Sequence, residues 1–346
     1  MAHPLDLPVE PLAAYLEANV EGFRGPLTAT KFKGGQSNPT YRIDAASGAY
    51  VLRRKPPGKL LPSAHAVDRE FRVLQALHGT QVPVAKPLHL CEDESIVCSM
   101  FYLMAFVDGR IFWDPSLPDQ TPAERGAIYT AIIDALAALH AIDPASVGLA
   151  DYGKPGNYFE RQLRRWAEQY RASETRPIAA MDALIAALPA RCPADDGAVA
   201  LAHGDFRIDN LMFHRDDARV IAIVDWELST LGHPLADLGY FCMALRLPRN
   251  PALPGLAGLD RTALGIPSEA ELLARYAERS RQPIPEDWPF VLAFSFFRLA
   301  AIAQGVAKRA EQGNASSDQA VQAGRMVEML AVMGIEVLGG ESAGFK

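Results

Sequence analysis

Three side chains with oxygen ligands lie close together in the second half of the sequence. HGDFRIDN, residues 203–210, contains Asp205 and Asn210, and IVDWE, residues 223–227, contains Asp225. In phosphoryl transfer a carboxylate orients the acceptor hydroxyl and takes its proton, while an amide oxygen and a second carboxylate bind the Mg²⁺ of the triphosphate. An acid in a loop, an amide five residues later and an acid fifteen residues beyond that therefore indicate this chemistry.

The segments around these side chains predict a small β structure that brings them together. Strands are expected at 198–203, 210–214 and 219–226, and the turn RDDA joins the last two. A hairpin returns its two ends to one place, so Asp225 should lie close to Asn210. The alternative is an Asx-rich turn whose side chains bond their own backbone. It leaves unexplained the acid and the tryptophan that end the neighbouring apolar strand.

The first part of the chain predicts a small lobe with the element order β-β-β-α-β-β after one leading helix. Its strand candidates alternate in side-chain character and are separated by Gly-, Asn- and Pro-containing turns. The predicted helices are 8–20 and 65–79, and the predicted strands are 27–33, 40–45, 49–55, 87–93 and 98–107.

Beyond residue 110 the sequence predicts a mainly helical lobe. One helix, 121–143, starts with Thr121 as its N-cap and has Glu124 three residues later, which is the pattern of a capping box. The stretch 247–267 is rich in Pro and Gly and predicts a loop or lid. Further helices are expected at 157–171, 177–188, 235–246, 268–281, 286–311 and 317–337.

Composition narrows the classes of function. The 346 residues are 49% hydrophobic and 22% charged, typical of a soluble globular protein with two structural units. The net charge of -7 argues against nucleic acid as a partner, because phosphate backbones favour a basic surface. We find no signal peptide and no apolar run near the roughly 18 residues of a membrane helix, so we expect no membrane partner.

Cysteine usage predicts a reducing compartment. The four cysteines contain no C-x-x-C pair and form no disulfide framework, so we expect four buried thiols in a cytoplasmic protein. They are Cys91, Cys98, Cys192 and Cys242.

Two segments around the polar side chains resemble a known enzyme family. LAHGDFRIDNLMF (201–213) and IAIVDWELSTLGHPLADLGYF (221–241) are similar to the catalytic core of the aminoglycoside phosphotransferase and choline kinase family. The stretches 50–77 and 91–114 resemble, more narrowly, the kinase-like domain fused ahead of acyl-CoA dehydrogenases and its free-standing bacterial relatives. The resemblance implies an α+β, protein-kinase-like fold of two lobes: a small antiparallel β lobe with one helix, and a larger, mainly helical lobe.

The same resemblance implies a division of labour between these lobes. Residues 1–106 would form the nucleotide-binding lobe and 107–346 the catalytic and substrate-binding lobe. Asp205 would be the catalytic base, with Asn210 and Asp225 as Mg²⁺ ligands and ATP as the phosphate donor. Asp237 matches an acid that braces the catalytic loop, and His203 matches a histidine that orients this loop.

On the nucleotide side, the family pattern implies a phosphate-covering loop, a cation and a hinge. Alignment favours Arg53 as the cation that grips the phosphates, with Arg54 as the rival because neighbouring strand residues face opposite sides. Glu70 would pair with the chosen arginine, unless it is a solvated helix-face charge. The loop residues would be Gly34, Gly35, Ser37 and Asn38, unless they form a plain hairpin turn, and Met104 and Phe106 would lie in the hinge against adenine.

The length of one segment limits what can be phosphorylated. Only eleven residues, 226–236, separate Asp225 from Asp237, which leaves no room for the activation segment that binds a peptide in protein kinases. We therefore expect a small-molecule hydroxyl acceptor, with a hydroxyacyl-CoA or a related hydroxy metabolite favoured by the narrower resemblance. An aminoglycoside kinase and a nucleotide-binding pseudokinase scaffold are the alternatives. Arginines 161, 164, 165, 246 and 249 could receive CoA phosphates or could be solvated charges.

Overall fold

The computed structural model describes residues 7–32, 38–56, 65–250, 253–311 and 317–339. The chain divides into two compact units. Unit 1 is Met1–Phe112, Pro144–Ala150 and Ile208–Ser229, and unit 2 is Trp113–Asp143, Asp151–Arg207 and Thr230–Lys346. The sequence predicts one boundary between the lobes, at 106/107. In the structure unit 1 extends to Phe112 and also includes two later segments, Pro144–Ala150 and Ile208–Ser229.

Unit 1 contains the predicted β-rich elements in the predicted order. Helices α1 (Val9–Asn19) and α2 (Val67–Leu77) accompany a five-stranded antiparallel sheet with the order β1-β2-β3-β5-β4. Leu12 and Leu16 of α1 pack with Ile43, Leu52 and Phe101 of the sheet in one buried cluster. The strands are β1 (Leu27–Lys31), β2 (Thr40–Ala45), β3 (Gly48–Arg54), β4 (Pro87–Cys91) and β5 (Phe101–Ala105).

The predicted hairpin forms a second sheet in unit 1, with the order β6-β8-β9. Its strands are β6 (Arg110–Ile111), β8 (Leu211–Phe213) and β9 (Val220–Ile223). Strand β6 was not predicted, because two residues are too few to show an alternating pattern. Gly109 allows its close approach to β8, since a Cβ at Gly109 would lie 2.6 Å from the Phe213 carbonyl oxygen.

Unit 2 contains the predicted helices and one short two-stranded sheet. The helices are α3 (Pro122–His140), α4 (Tyr158–Ser173), α5 (Ala179–Arg191), α6 (Leu235–Met243), α7 (Arg261–Leu264), α8 (Glu269–Ser280), α9 (Trp288–Arg309) and α10 (Ser317–Val337). Thr121 and Glu124 form the predicted capping box of α3. Short helix α7 lies in the stretch 247–267 that was predicted to be a loop.

The strand prediction at 198–203 had the wrong partner. Strand β7 (Ala200–Ala202) pairs with β10 (Thr230–Gly232) in unit 2 instead of joining the hairpin. The pairing places the residues just before Asp205 beside the segment that leads into α6. A three-residue strand carries too little pattern to reveal such a distant partner.

The expectation that no apolar segment is long enough for a membrane helix is wrong for helix α9. It has 22 residues, and an 18-residue window in it reaches a mean hydropathy of 1.8, enough to cross a membrane by length and composition alone. However, 83% of that window is buried, and the helix packs against α4, α6 and α10. The buried side chains of α9, including the aromatic residues Trp288, Phe290, Phe294, Phe296 and Phe297, thus form part of the core of unit 2.

The four cysteines are free thiols, but they are not all buried. Cys91 and Cys242 are buried, Cys192 is half-buried and Cys98 is exposed. The prediction of four buried thiols is therefore wrong for Cys98 and Cys192.

Candidate active site

A largely buried arginine, with 13% of its side chain exposed, lies at the centre of an ion-pair cluster in unit 1. Arg53 on β3 has Nε 2.8 Å from Glu70 Oε2 and Nη2 2.6 Å from Asp225 Oδ1. The Glu227 carboxylate is 3.7 Å away. Burial by itself lowers the pKa of Arg53, but the nearby Glu70, Asp225 and Glu227 carboxylates raise it above its ordinary value. Arg53 is therefore a permanent cation that faces three carboxylates.

Glu70 is held from several sides. Asn38 Nδ2 donates to Oε1 at 2.7 Å, and the Tyr102 hydroxyl donates to Oε2 at 3.1 Å. Burial raises the pKa of Glu70 to about 7, although Arg53 and Asn38 act in the opposite direction. The predicted pairing of Glu70 with a strand arginine is present, so the reading of Glu70 as a solvated helix-face charge is wrong.

The two candidate arginines of β3 point to different surroundings. Arg54 is almost fully buried and donates to the Val97 carbonyl at 2.6 Å and to the Tyr41 hydroxyl at 3.3 Å. Arg53 instead contacts Glu70 and Asp225. The geometry therefore favours Arg53 over Arg54 for the phosphate-binding role.

Part of the predicted nucleotide loop lies outside the described residues, namely Gly34, Gly35 and Ser37. Asn38 is described and buried, and its side chain lies between Glu70 and His65, whose Nδ1 is 3.0 Å from Asn38 Oδ1. The Asn38 side chain thus supports Glu70, and its contact with phosphates stays a prediction.

Of the predicted hinge residues, Met104 lies in β5 and Phe106 follows that strand. Met104 is half-buried and pairs with Val51 of β3. The backbone N–H of Phe106 donates to the Ala49 carbonyl at 3.3 Å, and the Arg42 guanidinium lies 4.5 Å above the Phe106 ring. In this conformation the Phe106 N–H is engaged within the sheet, so adenine contact in this segment remains a prediction.

The hairpin brings the two predicted metal ligands to the same end of its ladder. Leu211 pairs with Ile223, and the Val224 N–H donates to the Asn210 carbonyl at 3.0 Å. Asp225 is the next residue, with a left-handed backbone at φ 67°. The described residues contain no group of three or more His, Cys, Asp or Glu side chains arranged for a metal ion. An amide and a carboxylate nevertheless suit Mg²⁺, which commonly takes one or two protein oxygens and completes its shell with water and phosphate.

In unit 2 a buried acid fixes the backbone ahead of Asp205. Asp237, in the first turn of α6, accepts from the His203 N–H at 2.6 Å and from the Gly204 N–H at 2.8 Å. His140 Nε2 is 3.2 Å from the same carboxylate. Burial alone raises the pKa of Asp237, but the bonds from His140 and Gly204 and the nearby His203 hold it below its ordinary value. Asp237 therefore braces this loop as an anion.

Replacement of Asp237 tests this bracing. We expect Asp237→Asn to lower the free energy of unfolding by about 2–4 kcal/mol, because an amide cannot accept from both backbone N–H groups as the carboxylate does. Urea denaturation measures the change. Exposed Asp216 in the hairpin turn provides the control Asp216→Asn. Equal midpoints for the two variants would contradict the bracing role.

Asp205 itself receives support from three sides. Its backbone N–H donates to His203 Nδ1 at 3.2 Å, which agrees with the loop-orienting role predicted for His203. The Tyr240 hydroxyl is hydrogen-bonded to the Asp205 side chain, and both burial and the Asp205 charge raise the pKa of Tyr240. The Gly204 carbonyl, one bond before Asp205, accepts from the Arg298 guanidinium.

Sequence reasoning missed Tyr240 and Arg298. Tyr240 stands three residues after Asp237 in the quoted motif PLADLGY, so the spacing of one helical face could have indicated it. Arg298 is an isolated charge in the apolar stretch FSFFRLAA, where a buried cation must have a specific partner. Two further polar residues of the segment that follows Asp225 have different partners. Glu227 faces Arg53, whereas His233 Nε2 lies 3.3 Å from Asp196 in unit 2.

Comparison with known proteins identifies a family. The APH model, described as the phosphotransferase enzyme family, matches residues 28–294. Mouse acyl-CoA dehydrogenase family member 10 is 49% identical over 308 residues, which cover 89% of this chain and 29% of that protein. Rat acyl-CoA dehydrogenase family member 11 is 44% identical over 334 residues, which cover 95% and 43%. The chain thus spans less than half the length of these curated relatives.

Solved structures share the fold. A crystal structure from Ralstonia eutropha JMP134, assigned provisionally to the aminoglycoside phosphotransferases, has a TM-score of 0.89 and 50% identity, and the match covers 96% of this chain and 99% of that one. Spectinomycin phosphotransferase in complex with ADP and spectinomycin has a TM-score of 0.61 and 13% identity over 94% and 97% of the two chains, which shows the fold alone. Because the family model spans most of the sequence and a solved relative is half identical over nearly its whole length, the chain belongs to the phosphotransferase enzyme family, as an α+β enzyme of the small-molecule kinase type.

Proposed function

We propose that the enzyme transfers the γ-phosphate of Mg-ATP to a hydroxyl of a small molecule. The observation that carries this proposal is that both halves of the expected machinery are ordered within their own units: Arg53 pairs with Glu70 and Asp225 in unit 1, and Asp237 braces the backbone before Asp205 in unit 2. Structures with the same fold are known with ADP or AMP-PNP, which supports an adenine nucleotide as donor. A pseudokinase scaffold is less favoured, because base, metal ligands and phosphate-binding cation are all in the chain.

In the proposed reaction Asp205 accepts the proton of the acceptor hydroxyl as its oxygen forms a bond to the γ-phosphorus. The bond from that phosphorus to the β–γ bridging oxygen breaks, and ADP leaves with those electrons. Asn210 and Asp225 would hold Mg²⁺, which supplies charge neutralisation on the phosphates. Arg53 would bind the α- and β-phosphates, and Glu70 would hold the guanidinium in place.

For the acceptor we favour a hydroxyacyl-CoA or a related hydroxy metabolite. The curated relatives carry names of the acyl-CoA dehydrogenase family, and the part that matches this chain is a minor share of their length. An enzyme part that shares a chain with an acyl-CoA dehydrogenase is well placed to act on the same class of thioester.

Most of the candidate arginines already have partners within the protein. Those on helix α4 that have no carboxylate partner are the ones we favour for binding CoA phosphates. Arg246 forms an ion pair with Glu269, and Arg249 pairs with Asp114 at 3.1 Å. Arg161 donates to the carbonyls of Lys154 and Pro155. Arg164 and Arg165 are exposed, and within the described part of the chain no carboxylate lies within ion-pair distance of either.

Helix α4 also lies beside the loop that carries Asp205. Its Trp166 ring contacts the guanidinium of Arg298 at 5.7 Å, and Arg298 donates to the Gly204 carbonyl. The Arg165 guanidinium is 5.5 Å from the same Trp166 ring. An anionic handle bound at Arg164 and Arg165 would therefore be held by the same helix that packs near the catalytic base.

Neutralising these arginines should raise the KM for a CoA substrate. With Arg164→Gln/Arg165→Gln we expect KM for a 4-hydroxyacyl-CoA to rise roughly threefold to tenfold at nearly constant kcat, because charge-assisted phosphate contacts are lost. KM for the matching free 4-hydroxy acid, which lacks those phosphates, should stay the same. Equal changes for both acceptors in steady-state kinetics would contradict this assignment.

A cavity in unit 2 supports a second candidate, a kinase for cationic amino sugars. Its volume is about 600 Å³, within the range of small-molecule sites. Four acids line it, Glu160, Asp195, Asp196 and Asp287, against one arginine, Arg164. Part of this charge is already paired, since Asp287 binds Arg191 and Asp196 contacts His233. For this reason the amino-sugar reading stands second.

Acceptor-dependent ADP release from Mg-ATP distinguishes the candidates. The panel consists of a 4-hydroxyacyl-CoA, its free hydroxy acid, an aminoglycoside and choline, with Asp205→Asn as the blank. We expect release with the CoA ester that is absent in the blank. Release with the aminoglycoside alone would favour the second candidate, and nucleotide binding without release under any condition would favour the scaffold.

A further inference from the structure

We propose that Arg298 is a positioning residue for the base Asp205, acting through the Gly204 carbonyl and through Tyr240. The proposal rests on the role of Asp205 given above and assigns a function to a residue 93 positions away in the sequence. All contacts that carry it lie within unit 2.

The first observation is that both the backbone N–H and the backbone carbonyl of Gly204 are hydrogen-bonded to side chains. The N–H of Gly204 donates to Asp237 Oδ1 at 2.8 Å, and its carbonyl accepts from Arg298 Nη2. Gly204 has φ 84°, a left-handed conformation that residues with a side chain rarely adopt. Glycine adopts this conformation without strain but is also the most flexible residue, so contacts with neighbouring groups are what restrict it. Asp237 and Arg298 supply that restraint from the two ends of one glycine.

The Gly204 carbonyl belongs to the same peptide plane as the Asp205 N–H. A bond to that oxygen therefore also fixes the direction of the Asp205 N–H, which donates to His203 Nδ1 at 3.2 Å. With the Asp205 backbone held, the direction of its Cα–Cβ bond is determined. Arg298 thus acts on the base without contact to its carboxylate.

The second observation concerns the side chain of Asp205. The Tyr240 hydroxyl is hydrogen-bonded to it, and the Arg298 guanidinium lies 5.4 Å from the Tyr240 ring. The other flank of Arg298 is covered by the Trp166 ring at 5.7 Å. One buried guanidinium, 6% exposed, therefore contacts both the carbonyl before the base and the tyrosine that holds its carboxylate.

Burying the Arg298 guanidinium costs desolvation free energy, so stability by itself does not explain why an arginine occupies this position. Ser295 and Phe296 precede it in an apolar helix, where leucine or methionine would pack at no cost in desolvation. Arg298 contacts two aromatic rings and a carbonyl, and among the described residues no carboxylate forms an ion pair with it. A requirement for geometry at Asp205 explains why a guanidinium occupies this place.

The test combines kinetics with amide exchange. In Arg298→Met we expect kcat for ADP release with a 4-hydroxyacyl-CoA to fall on the order of a hundredfold, the loss typical of a misplaced catalytic group, while KM for Mg-ATP stays within about twofold. Arg298→Lys should recover part of kcat, because an ammonium can still donate to one carbonyl.

Amide exchange decides the question even without turnover. Hydrogen exchange of residues 203–206 should accelerate in Arg298→Met and remain at the wild-type rate in the control Arg275→Met, whose side chain pairs with Asp134 on other helices of unit 2. Unchanged exchange together with unchanged kcat, or a fall in Arg298→Met that Arg298→Lys does not relieve at equal thermal stability, would overturn the positioning role. If wild-type enzyme releases no ADP with this acceptor, the acceptor assignment fails, while the exchange result still supports or rejects Arg298.

Discussion

Asp205→Asn should lower kcat by roughly 10²–10⁴-fold, the contribution typical of a general base. The asparagine keeps the shape of the side chain and can still bond to Tyr240, but it cannot take the acceptor proton. The backbone contacts of the loop to Asp237 and Arg298 do not involve the Asp205 side chain, so they should persist. Mg-ATP affinity, measured by calorimetry, should therefore remain close to that of the wild type.

The sequence offers a matched control four residues later. Asp209 is an acid of the same loop and lies in the short 3₁₀ turn Ile208–Asn210. Asp209→Asn removes the same charge at nearly the same place, and we expect it to retain most of the turnover. Wild-type turnover in Asp205→Asn, or a loss in Asp209→Asn alone, would mean that the base has been misassigned.

The elements that the sequence predicted are those with enough length to show a period. Strands of five to seven residues such as Thr40–Ala45 and helices such as Pro122–His140 alternate or repeat clearly, and the structure confirms them within a few residues. Strands Arg110–Ile111 and Thr230–Gly232 were not predicted, because they are only two and three residues long. Their existence depends on partners about 100 and 30 residues away, which local pattern cannot identify.

For the site as well, residues that lie close together in the sequence were easier to predict than residues that lie far apart. Asn210 and Asp225 could be brought together from the sequence, since a single hairpin connects them. The choice between Arg53 and Arg54 could not be made from alternation, because the side of β3 that faces Glu70 is set by the packing of α2. Tyr240 and Arg298 come from two distant helices, and only the fold places them beside the loop of Asp205.

Arg53→Met should impair both nucleotide binding and folding. We expect Mg-ATP to bind roughly tenfold to a hundredfold more weakly, as expected for the loss of charge-assisted phosphate contacts. The free energy of unfolding should fall by about 1–2 kcal/mol at pH 8, because Glu70 loses its cation and must either stay charged in a buried place or take up a proton. Arg53→Lys should recover little of either, since one ammonium cannot reach Glu70 and Asp225 as the guanidinium does.

The stability loss should depend on pH in a stated direction. The pKa of Glu70 in the folded protein is about 7, above the roughly 4.3 of an unfolded chain, so the folded state holds the proton more tightly. Below pH 7 Glu70 is neutral and needs no cation. As pH rises through 7 it ionises, and only the wild type offers a partner. Denaturation at pH 5.5 and pH 8 should show the deficit of Arg53→Met growing with pH, and a constant deficit would contradict this account.

A double variant separates the two roles of Arg53. In Arg53→Met/Glu70→Gln the uncompensated charge is gone, and the amide can still accept from Tyr102. We expect the double variant to regain much of the stability at pH 8 that Arg53→Met loses, which is a strongly non-additive result for two contacting residues. Mg-ATP affinity should stay as weak as in Arg53→Met, because the cation itself is missing. Recovery of affinity together with stability would mean that Arg53 only neutralises Glu70 and that another cation of the chain binds the phosphates.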